Sequence, residues 1–364
     1  MDIRTSAPGR ICLFGEHQDY LKMPVIPAAI DRIVELEGHS INEKKIIIHM
    51  PDIGSYLEFE ISGNELNYDK KRDYFKSIYN HFIRRGAVFN SGFELTVRGN
   101  IPINSGTSSS SALNNAFAGF LLAGAENLSE LTFSSKEEIG KLTYYAEVEE
   151  FGEPGGRMDQ YSTAKGGVLY LDFSNPDPDY VQLPTISKTF VLGDSKEPKD
   201  TLGILSRLRN GFSDAAKLVN KSISFDLNSF TGEFNHLKKY LNSDLWSIFS
   251  GGIMNRDILR EAKVIMEKNF DDYEFGKLLY KHHEVLRDNL NISTKKIEKM
   301  LNSALDAGAL GGKINGSGGG GCMFAYAPNN PEAVKEAIER EGGKAYIINI
   351  GDGLKVYKND SQIL

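Results

Sequence analysis

The sequence predicts a protein of mixed helices and strands, of a size that suits two medium domains or one large one. Three observations predict it. The chain has 364 residues, 40% of them hydrophobic and 25% charged, as in an ordinary globular protein. Short apolar or alternating runs typical of strands recur before residue 62, at 92–99, at 190–194 and at 344–356. Residues 201–300, by contrast, are mostly helical in pattern.

Bulk composition excludes several classes of protein. The formal net charge of −7 provides no basic face for nucleic acid. No apolar run approaches the roughly 20 residues that span a bilayer, and the N-terminus lacks the apolar core of a signal peptide. The chain has only two cysteines, Cys12 and Cys322, so we do not expect a fold stabilised by a set of disulfide bonds. We therefore expect a cytoplasmic protein, a monomer or weak homodimer, with no nucleic-acid or membrane partner.

The first polar cluster follows the first predicted strand. The apolar residues 11–14 run into a turn that gathers Glu16, His17 and Asp19 within four positions. Carboxylates and an imidazole suit the hydroxyls of a sugar, because ionised acceptors make the stronger hydrogen bonds. Arg10, just upstream, is fixed in charge and able to lie beside a carboxylate or phosphate. Taken alone, the cluster is more typical of a polar surface turn with a structural arginine.

The segment 101–113, IPINSGTSSSSAL, is the most informative stretch of the chain. It follows a helix predicted over 73–86 and a strand predicted over 92–99, and it enters an apolar run at 112–125 that predicts a buried helix. The free N–H groups and dipole at such a helix start form an anion site, and Gly106 allows close backbone approach. The serine hydroxyls can also ligate Mg²⁺. We interpret the segment as a phosphate-and-metal cradle, the alternative being a serine-rich loop that only caps a core helix.

A third candidate group is Asp159. A glutamate-rich helix predicted over 136–151 is broken by residues 152–160, GEPGGRMDQ, and a strand is predicted over 167–173. A carboxylate on such a rigid turn is a reasonable catalytic candidate, although an Asp near glycine more commonly satisfies its own turn. The chain contains no GxxxxGK[ST] sequence, which excludes a P-loop.

Two features mark the C-terminal part. His282 and His283 are adjacent, so on a helix they face roughly 100° apart and cannot hold a metal as an i, i+4 pair could. We expect them to be structural or interfacial. Residues 316–321 are glycine except for Ser317, and buried-looking runs flank them on both sides. This context favours close backbone approach to another group over a flexible linker.

Taken together, the motifs resemble those of the GHMP kinases, and most of all those of galactokinases. Residues 7–20, with APGR and FGEHQDY, resemble the galactokinase signature, and residues 102–112 resemble the family's ATP-phosphate loop. Residues 146–160 resemble the galactokinase segment that runs from the metal-binding glutamate to the catalytic aspartate. The region from His282 to the loop at 316–321 resembles the C-terminal part of the family. Each motif is moderately specific, but their order and spacing together are highly specific.

The resemblance implies a fold. GHMP kinases are α+β proteins of two domains, an N-terminal one like ribosomal protein S5 domain 2 and a C-terminal ferredoxin-like one, with the active site in the cleft between them. We expect the boundary near residue 185. The first domain, 1–185, would then carry the sugar and ATP-phosphate motifs, and the second, 186–364, the glycine-rich loop.

The resemblance also implies roles at the reacting centre. Asp159 would be the catalytic carboxylate, which takes or orients the proton of the sugar hydroxyl. Arg10 would sit beside it and lower its pKa or stabilise the attacking oxygen. The residues implied to bind the sugar are Glu16, His17, Asp19 and Gly156.

The nucleotide and the metal are implied in the same way. The residues that would wrap the ATP phosphates are Gly106, Thr107, Ser108, Ser109 and Ser110. Mg²⁺ would be held by Ser109 or Ser110 together with Glu147, and residues 316–321 would support the phosphate loop. These parts match what phosphoryl transfer needs, namely positioning, charge neutralisation and a group that orients the nucleophile.

The implied function is an ATP-dependent kinase that phosphorylates the anomeric hydroxyl of galactose or a related sugar. Residues 193–201 and the glycine-rich loop are more similar to mevalonate kinase, so a mevalonate-kinase-like or other small-alcohol kinase stays open. Asp19 and Tyr20 favour the sugar, since a hydroxylated ring needs several polar partners, whereas mevalonate would call for more cationic groups. A non-catalytic sugar- and ATP-binding sensor is disfavoured, because the residues implied for catalysis and metal binding are all present, namely Arg10, Ser109, Ser110, Glu147 and Asp159.

Overall fold

The structure of the protein is a computed structural model, which describes residues 1–103, 105–131, 134–175 and 177–364. Asn104, inside the predicted phosphate loop, lies outside the described residues. The strands are β1 (Asp2–Phe14), β2 (Ile26–Ile41), β3 (Lys45–Met50), β4 (Ser55–Glu60), β5 (Gly92–Gly99), β6 (Leu169–Asp172), β7 (Asp179–Gln182), β8 (Phe190–Asp194), β9 (Gly311–Ile314), β10 (Cys322–Tyr326), β11 (Lys344–Ile348), β12 (Lys355–Lys358) and β13 (Ser361–Gln362). The helices are α1 (Tyr74–Arg84), α2 (Ser109–Gly124), α3 (Lys136–Tyr144), α4 (Met158–Lys165), α5 (Thr201–Asn220), α6 (Ser243–Lys268), α7 (Asp272–Asp288), α8 (Lys295–Asp306) and α9 (Pro331–Arg340).

A seven-stranded sheet organises the first half of the molecule. Its strand order is β13-β12-β1-β2-β5-β3-β4, and every pair is antiparallel except β3 with β5. Helix α2 lies against this sheet and is buried almost all round, which its apolar sequence explains. The Phe93 ring of β5 meets the Phe120 ring of α2 edge to face, with centroids 5.6 Å apart. The sheet and the helix thus hold the loop before α2 on a rigid base.

A four-stranded antiparallel sheet, in the order β11-β8-β10-β9, organises the second half. Helices α8 and α9 pack on it, and α7 packs on β9. Together with the first sheet and its helices, this arrangement confirms the predicted α+β fold. No helix in the described ranges is both long and apolar enough to cross a membrane.

The last strands of the chain belong to the first sheet. Strand β12 pairs with β1, with Thr5 opposite Val356, and β13 extends the same edge. This differs from the expected second domain of 186–364, because residues 355–362 complete the sheet of the first half. The boundary near residue 185 stays a prediction.

The end of β1 is the place where the two halves meet. Phe14, its last residue, packs edge to face on Phe275 of α7, with ring centroids 5.6 Å apart. Both side chains are fully buried in one apolar cluster that also contains Phe190 and Phe324 of the second sheet. The polar turn after β1 is therefore held between the halves by apolar packing that the local sequence did not reveal.

One predicted helix differs in a way that matters for the site. The helix expected over 136–151 ends as α3 at Tyr144 and continues as a π-helical turn, Tyr145–Glu149. The wider turn carries Glu147, whose side chain is buried. Such π turns inside helices often occur at functional sites, because they redirect one side chain.

Candidate active site

A cavity of about 390 Å³ opens between the two halves. The first half contributes the turn after β1, the loop before α2, the π-helical turn and the start of α4, and the second half contributes Lys199, Thr201 and Ser317. The predicted site residues that line this cavity are Arg10, Glu16, His17, Asp19, Gly106, Ser108, Ser109, Ser110, Glu147, Gly156 and Asp159. Residues spread over more than 140 positions of sequence are thus brought into one space.

Thr107 is the predicted site residue whose side chain turns away from the cavity. Its hydroxyl donates to the carbonyl of Pro102 at 3.2 Å, and the side chain is buried. Its own carbonyl accepts the backbone N–H of Arg10 at 3.1 Å. Thr107 therefore fixes the phosphate loop to β1 and does not itself face the cavity.

Arg10 and Asp159 form the central ion pair of the cavity. Nε and Nη2 of Arg10 both contact Oδ1 of Asp159, at 2.9 Å and 2.7 Å. The arginine side chain is 4% exposed and the aspartate 33% exposed, so the carboxylate is the partner that reaches the open space. Burial opposes the charge on Arg10, but the Asp159 and Glu16 carboxylates outweigh it and raise the pKa of Arg10 above its usual value. Arg10 therefore stays positively charged and holds the Asp159 carboxylate in place through Oδ1.

The loop before α2 has the properties of an anion site. Ser108, the residue before the helix, has a φ of 59° and makes no side-chain cap, so the serine cap that the sequence suggested is not formed. Within the described residues its Oγ is buried without a hydrogen-bond partner. Gly106 has a φ of 89°, which favours glycine. An uncapped helix start next to an orphaned buried hydroxyl fits the phosphates of a nucleotide.

Glu147 lies beside that loop and is oriented by two residues that sequence reasoning missed. Ser111 donates to its Oε2 at 2.8 Å, and Gln160 donates to the same oxygen at 2.7 Å. Burial raises the pKa of Glu147 above its ordinary value. The only sequence signals were that Ser111 ends the serine run and that Gln160 follows Asp159.

The residues around Glu147 could bind Mg²⁺ only together with the phosphates of a bound nucleotide. No cluster of three or more His, Cys, Asp or Glu side chains suited to a metal occurs in the described part of the chain. The available donors are the Glu147 carboxylate and the hydroxyls of Ser109 and Ser110, all hard oxygens of residues that line the cavity. Mg²⁺ is commonly held by one or two carboxylates together with substrate phosphates, which is the arrangement these donors allow.

Asp19 shares the other end of the cavity with Asp159. Its carboxylate accepts the backbone N–H of Tyr20 at 2.9 Å and that of Met158 at 3.3 Å. Burial, and then the nearby charge of Asp159, raise the pKa of Asp19 to about 6. A Cβ on Gly156 would lie 1.9 Å from Oδ2 of Asp19, so only glycine permits this approach.

His17 is engaged by the protein through both ring nitrogens. Nδ1 is 3.0 Å from the hydroxyl of Tyr20, and Nε2 is 3.2 Å from the carbonyl of Ser317. Since a carbonyl only accepts, Nε2 carries the proton and Nδ1 accepts from Tyr20. Burial lowers the pKa of His17 to about 4, which keeps the ring neutral. A direct bond from His17 to a sugar would have to displace one of these partners.

Three residues of the second half that were not predicted belong to the site: Lys199 lines the cavity, and Lys313 and Asn315 contact residues that line it. Lys313, fully buried, donates to Oε2 of Glu16 at 2.8 Å, and Asn315 donates to the carbonyl of Gly106 at 2.8 Å. Lys199 donates to the hydroxyl of Ser317 at 3.3 Å, and burial, together with Arg10, lowers its pKa. These contacts join positions about 100 to 300 apart in sequence, which local patterns do not reveal.

The adjacent histidines behave as expected from their spacing. His282 and His283 are fully buried in α7 and point to different partners. His283 contacts Glu298 at 2.9 Å and accepts the N–H of Ile314 at 3.3 Å, while His282 stacks on Phe14. They support β1 and β9 from behind.

Comparisons with known proteins cover almost the whole chain. The family description "GHMP kinases N terminal domain" matches residues 73–167, "GHMP kinases C terminal" matches 265–345, and "Galactokinase galactose-binding signature" matches 2–35. A mevalonate kinase of Pyrococcus furiosus is 30% identical over 98% of each chain. A galactokinase of Fusobacterium nucleatum is 27% identical over 96% of this chain and 94% of its own length.

Solved structures share the fold. The galactokinase of Lactococcus lactis, complexed with galactose, superposes with a TM-score of 0.82 at 23% identity, covering 97% of this chain and 94% of that one. The mevalonate kinase of Methanococcus jannaschii superposes with a TM-score of 0.69 at 20% identity, covering 97% and 98%. Both kinds of kinase resemble the chain at comparable identity, so identity alone does not decide the phosphoryl acceptor.

Proposed function

Because the chain belongs to the GHMP kinases, and is therefore a phosphotransferase that acts on an alcohol, we propose that it transfers the γ-phosphoryl group of Mg-ATP to the anomeric hydroxyl of galactose or a related sugar. The observation that carries the proposal is the Asp159–Arg10 pair, whose arginine donates to the Gly106 carbonyl in the loop before α2 and whose aspartate lies close enough to Asp19 to raise the pKa of Asp19.

In this proposal Asp159 orients the acceptor hydroxyl and takes its proton as the new O–P bond forms and the bond to ADP breaks. Arg10 holds the carboxylate by Oδ1 and places its positive charge beside the attacking oxygen. In phosphoryl transfer the protein mainly positions the reactants and stabilises charge. A fixed carboxylate and a fixed cation supply much of this positioning and stabilisation.

The phosphate end would be bound by groups of this chain. The N–H groups at the start of α2, the orphaned hydroxyl of Ser108 and the ammonium of Lys199 would face the phosphates. Ser109 or Ser110 with Glu147 would hold Mg²⁺, which supplies neutralisation of phosphate charge when bound. Burial of Glu147 fits this role, because a cation would offset the raised pKa of its carboxylate.

The charges of the acceptor end favour a neutral sugar over mevalonate. Glu16, Asp19 and Asp159 all line this part of the cavity. Two of the cavity's cations are already paired, Arg10 with Asp159 and Arg72 with Glu153. Arg10 compensates Asp159 and Lys313 compensates Glu16, but Asp19 is bound by backbone N–H groups, so an anionic acceptor would be repelled there, whereas sugar hydroxyls would find strong acceptors. The mevalonate alternative is kept because a mevalonate kinase is 30% identical over nearly the whole length.

The test is a coupled ADP-release assay of the wild-type protein with Mg-ATP. The acceptors are galactose, glucose, arabinose, fucose, galacturonate, galactosamine, mannose and mevalonate. We expect turnover with galactose or a close relative and none with mevalonate. Turnover with mevalonate alone would overturn the sugar assignment, and ATP binding without turnover on any acceptor would favour the sensor. The cytoplasmic location and the monomer or weak homodimer stay predictions.

A further inference from the structure

A wholly buried ion pair joins the two halves of the molecule at the floor of the cavity. Lys313 of β9 has no exposed surface, and Glu16 of the turn after β1 has a side chain that is 3% exposed. Their Nζ and Oε2 atoms are 2.8 Å apart, across 297 positions of sequence. Desolvation strongly disfavours a charge in such a place unless a partner compensates it, so removing either side chain would leave an uncompensated buried charge.

The backbone of β1 explains why the lysine reaches this point. Cys12 stands opposite Pro27 in the register of β1 and β2, and proline has no N–H to offer. The carbonyl of Cys12 instead accepts from Nζ of Lys313 at 2.8 Å, and its N–H donates to Oδ1 of Asn315 at 2.9 Å. Both polar groups of one β1 residue are therefore satisfied by side chains of the other half.

The same two side chains reach both ends of the cavity. Lys313 and Asn315 are two positions apart, so they project from the same side of an extended chain. Lys313 donates a hydrogen bond to Glu16, which lines the acceptor end, and Asn315 donates one to the carbonyl of Gly106 in the phosphate loop. This short segment of the second half sets the position of both ends relative to Cys12.

We propose that Lys313 is a positioning residue that holds the ionised Glu16 carboxylate toward the phosphoryl acceptor. The inference rests on the proposed function for the identity of the acceptor, but not for the contact itself. Lys313 occupies Oε2, which leaves Oε1 to accept from an acceptor hydroxyl. Without the lysine, the buried Glu16 carboxylate would lose the cation to which it is hydrogen-bonded while Asp19 lies nearby, and it would no longer be held in this position.

The experiment is a double-mutant cycle on the full-length chain, with Lys313→Met, Glu16→Gln and the double variant. We expect Lys313→Met to raise KM for the acceptor about tenfold or more, and KM for ATP less than threefold. In the Glu16→Gln background the same lysine change should alter the acceptor KM less than threefold, because the residue through which it acts is already gone.

Arg256→Met is the matched control. Arg256 is a 4% exposed cation that also donates to a carbonyl, that of Leu227, and to a carboxylate, that of Asp257, away from the cavity. It should lower the melting temperature and leave both KM values within twofold. Equal rises in the two KM values for Lys313→Met, or a lysine effect that persists in Glu16→Gln, would overturn the proposal. Should Lys313→Met not fold, the double variant is compared with Glu16→Gln alone: equal acceptor KM values support the positioning role, and values more than threefold apart contradict it.

The result is separable from a failure of the proposed function. If the wild type phosphorylates mevalonate and no sugar, the sugar assignment fails, and the cycle is measured on KM for mevalonate. A lysine effect that vanishes with Glu16 supports the positioning role, and one that persists contradicts it. If ATP binds without turnover, calorimetric affinity for galactose takes the place of KM, with the same two outcomes.

Discussion

The two ends of the cavity are built in different ways. The phosphate end is mostly local, because residues 106–111 and the start of α2 supply its centre from one continuous stretch, to which Glu147 and Lys199 add one charged group each. The acceptor end is assembled from distant parts. Arg10 meets Asp159 across 149 positions, and Glu16 meets Lys313 across 297. The first end depends on backbone N–H groups, and the second depends on charged side chains that must be held in place.

The difference teaches where specificity can reside. Backbone groups at a helix start recognise the charge of a phosphate and little else. A carboxylate binds a single sugar hydroxyl well only when it is correctly placed. Small displacements of the carboxylates should therefore change the affinity for the acceptor and leave the affinity for ATP almost unchanged. Each prediction below perturbs the acceptor end or the centre, and the first two use the binding of ATP as the internal reference.

The largest effect is expected at the junction of the two ends. Asp159→Asn keeps the shape of the side chain but removes the proton acceptor and the charge that Arg10 holds. We expect kcat to fall roughly 10²- to 10⁴-fold, while the dissociation constant of ATP, measured by calorimetry, changes less than threefold. Asp214→Asn, in an exposed pair with Lys217, is the control and should leave kcat unchanged. An Asp159→Asn variant with wild-type kcat would remove Asp159 from its proposed role.

A smaller effect is expected from adding one methyl group at the acceptor end. In Gly156→Ala the new Cβ would lie 1.9 Å from Oδ2 of Asp19, so the carboxylate must move. We expect KM for the sugar to rise about ten- to a hundredfold, with KM for ATP within threefold. Gly155→Ala is the adjacent control, since its Cβ would meet nothing closer than Val148 at 3.6 Å. Equal effects of the two substitutions on sugar KM would show that Asp19 does not position the sugar.

The smallest effect is a pH dependence confined to the acceptor. The pKa of Asp19 is raised to about 6, so its carboxylate is ionised above that pH and protonated below it. An ionised carboxylate is the stronger acceptor, and we therefore expect sugar affinity to be highest near pH 7 to 8 and to fall about three- to tenfold toward pH 5. Calorimetric titration of the sugar at several pH values measures it. In Asp19→Asn the dependence should flatten, and a dependence that survives there would have to arise elsewhere.

The sequence predicted the features that depend on local residues and missed those that depend on long-range contacts. The helix after the serine run and the strand at 92–99 were predictable because their apolar spacing is local, and α2 and β5 confirm them. The π-helical turn that presents Glu147 was not predictable, because no local pattern marks it and the side chains that bind Glu147, Ser111 and Gln160, come from other helices.

The rest was hidden by distance along the chain. Strand β12 returns to the first sheet because it pairs with β1, about 350 residues earlier in the chain. No local sequence pattern predicts this pairing. Lys313 and Asn315 looked like the flank of a glycine-rich loop, and only the folded chain places them against Cys12. The motifs could name the site residues through family resemblance, but not the side chains that hold them.

The most direct test of the central claim is the product itself. Wild-type protein is incubated with Mg-ATP and an equal mixture of galactose and mevalonate, and proton-coupled phosphorus NMR follows the new ester. We predict one new doublet from phosphorus coupled to the anomeric proton of the sugar, together with ADP. A phosphate ester that forms on mevalonate, or on another sugar carbon, would contradict the account.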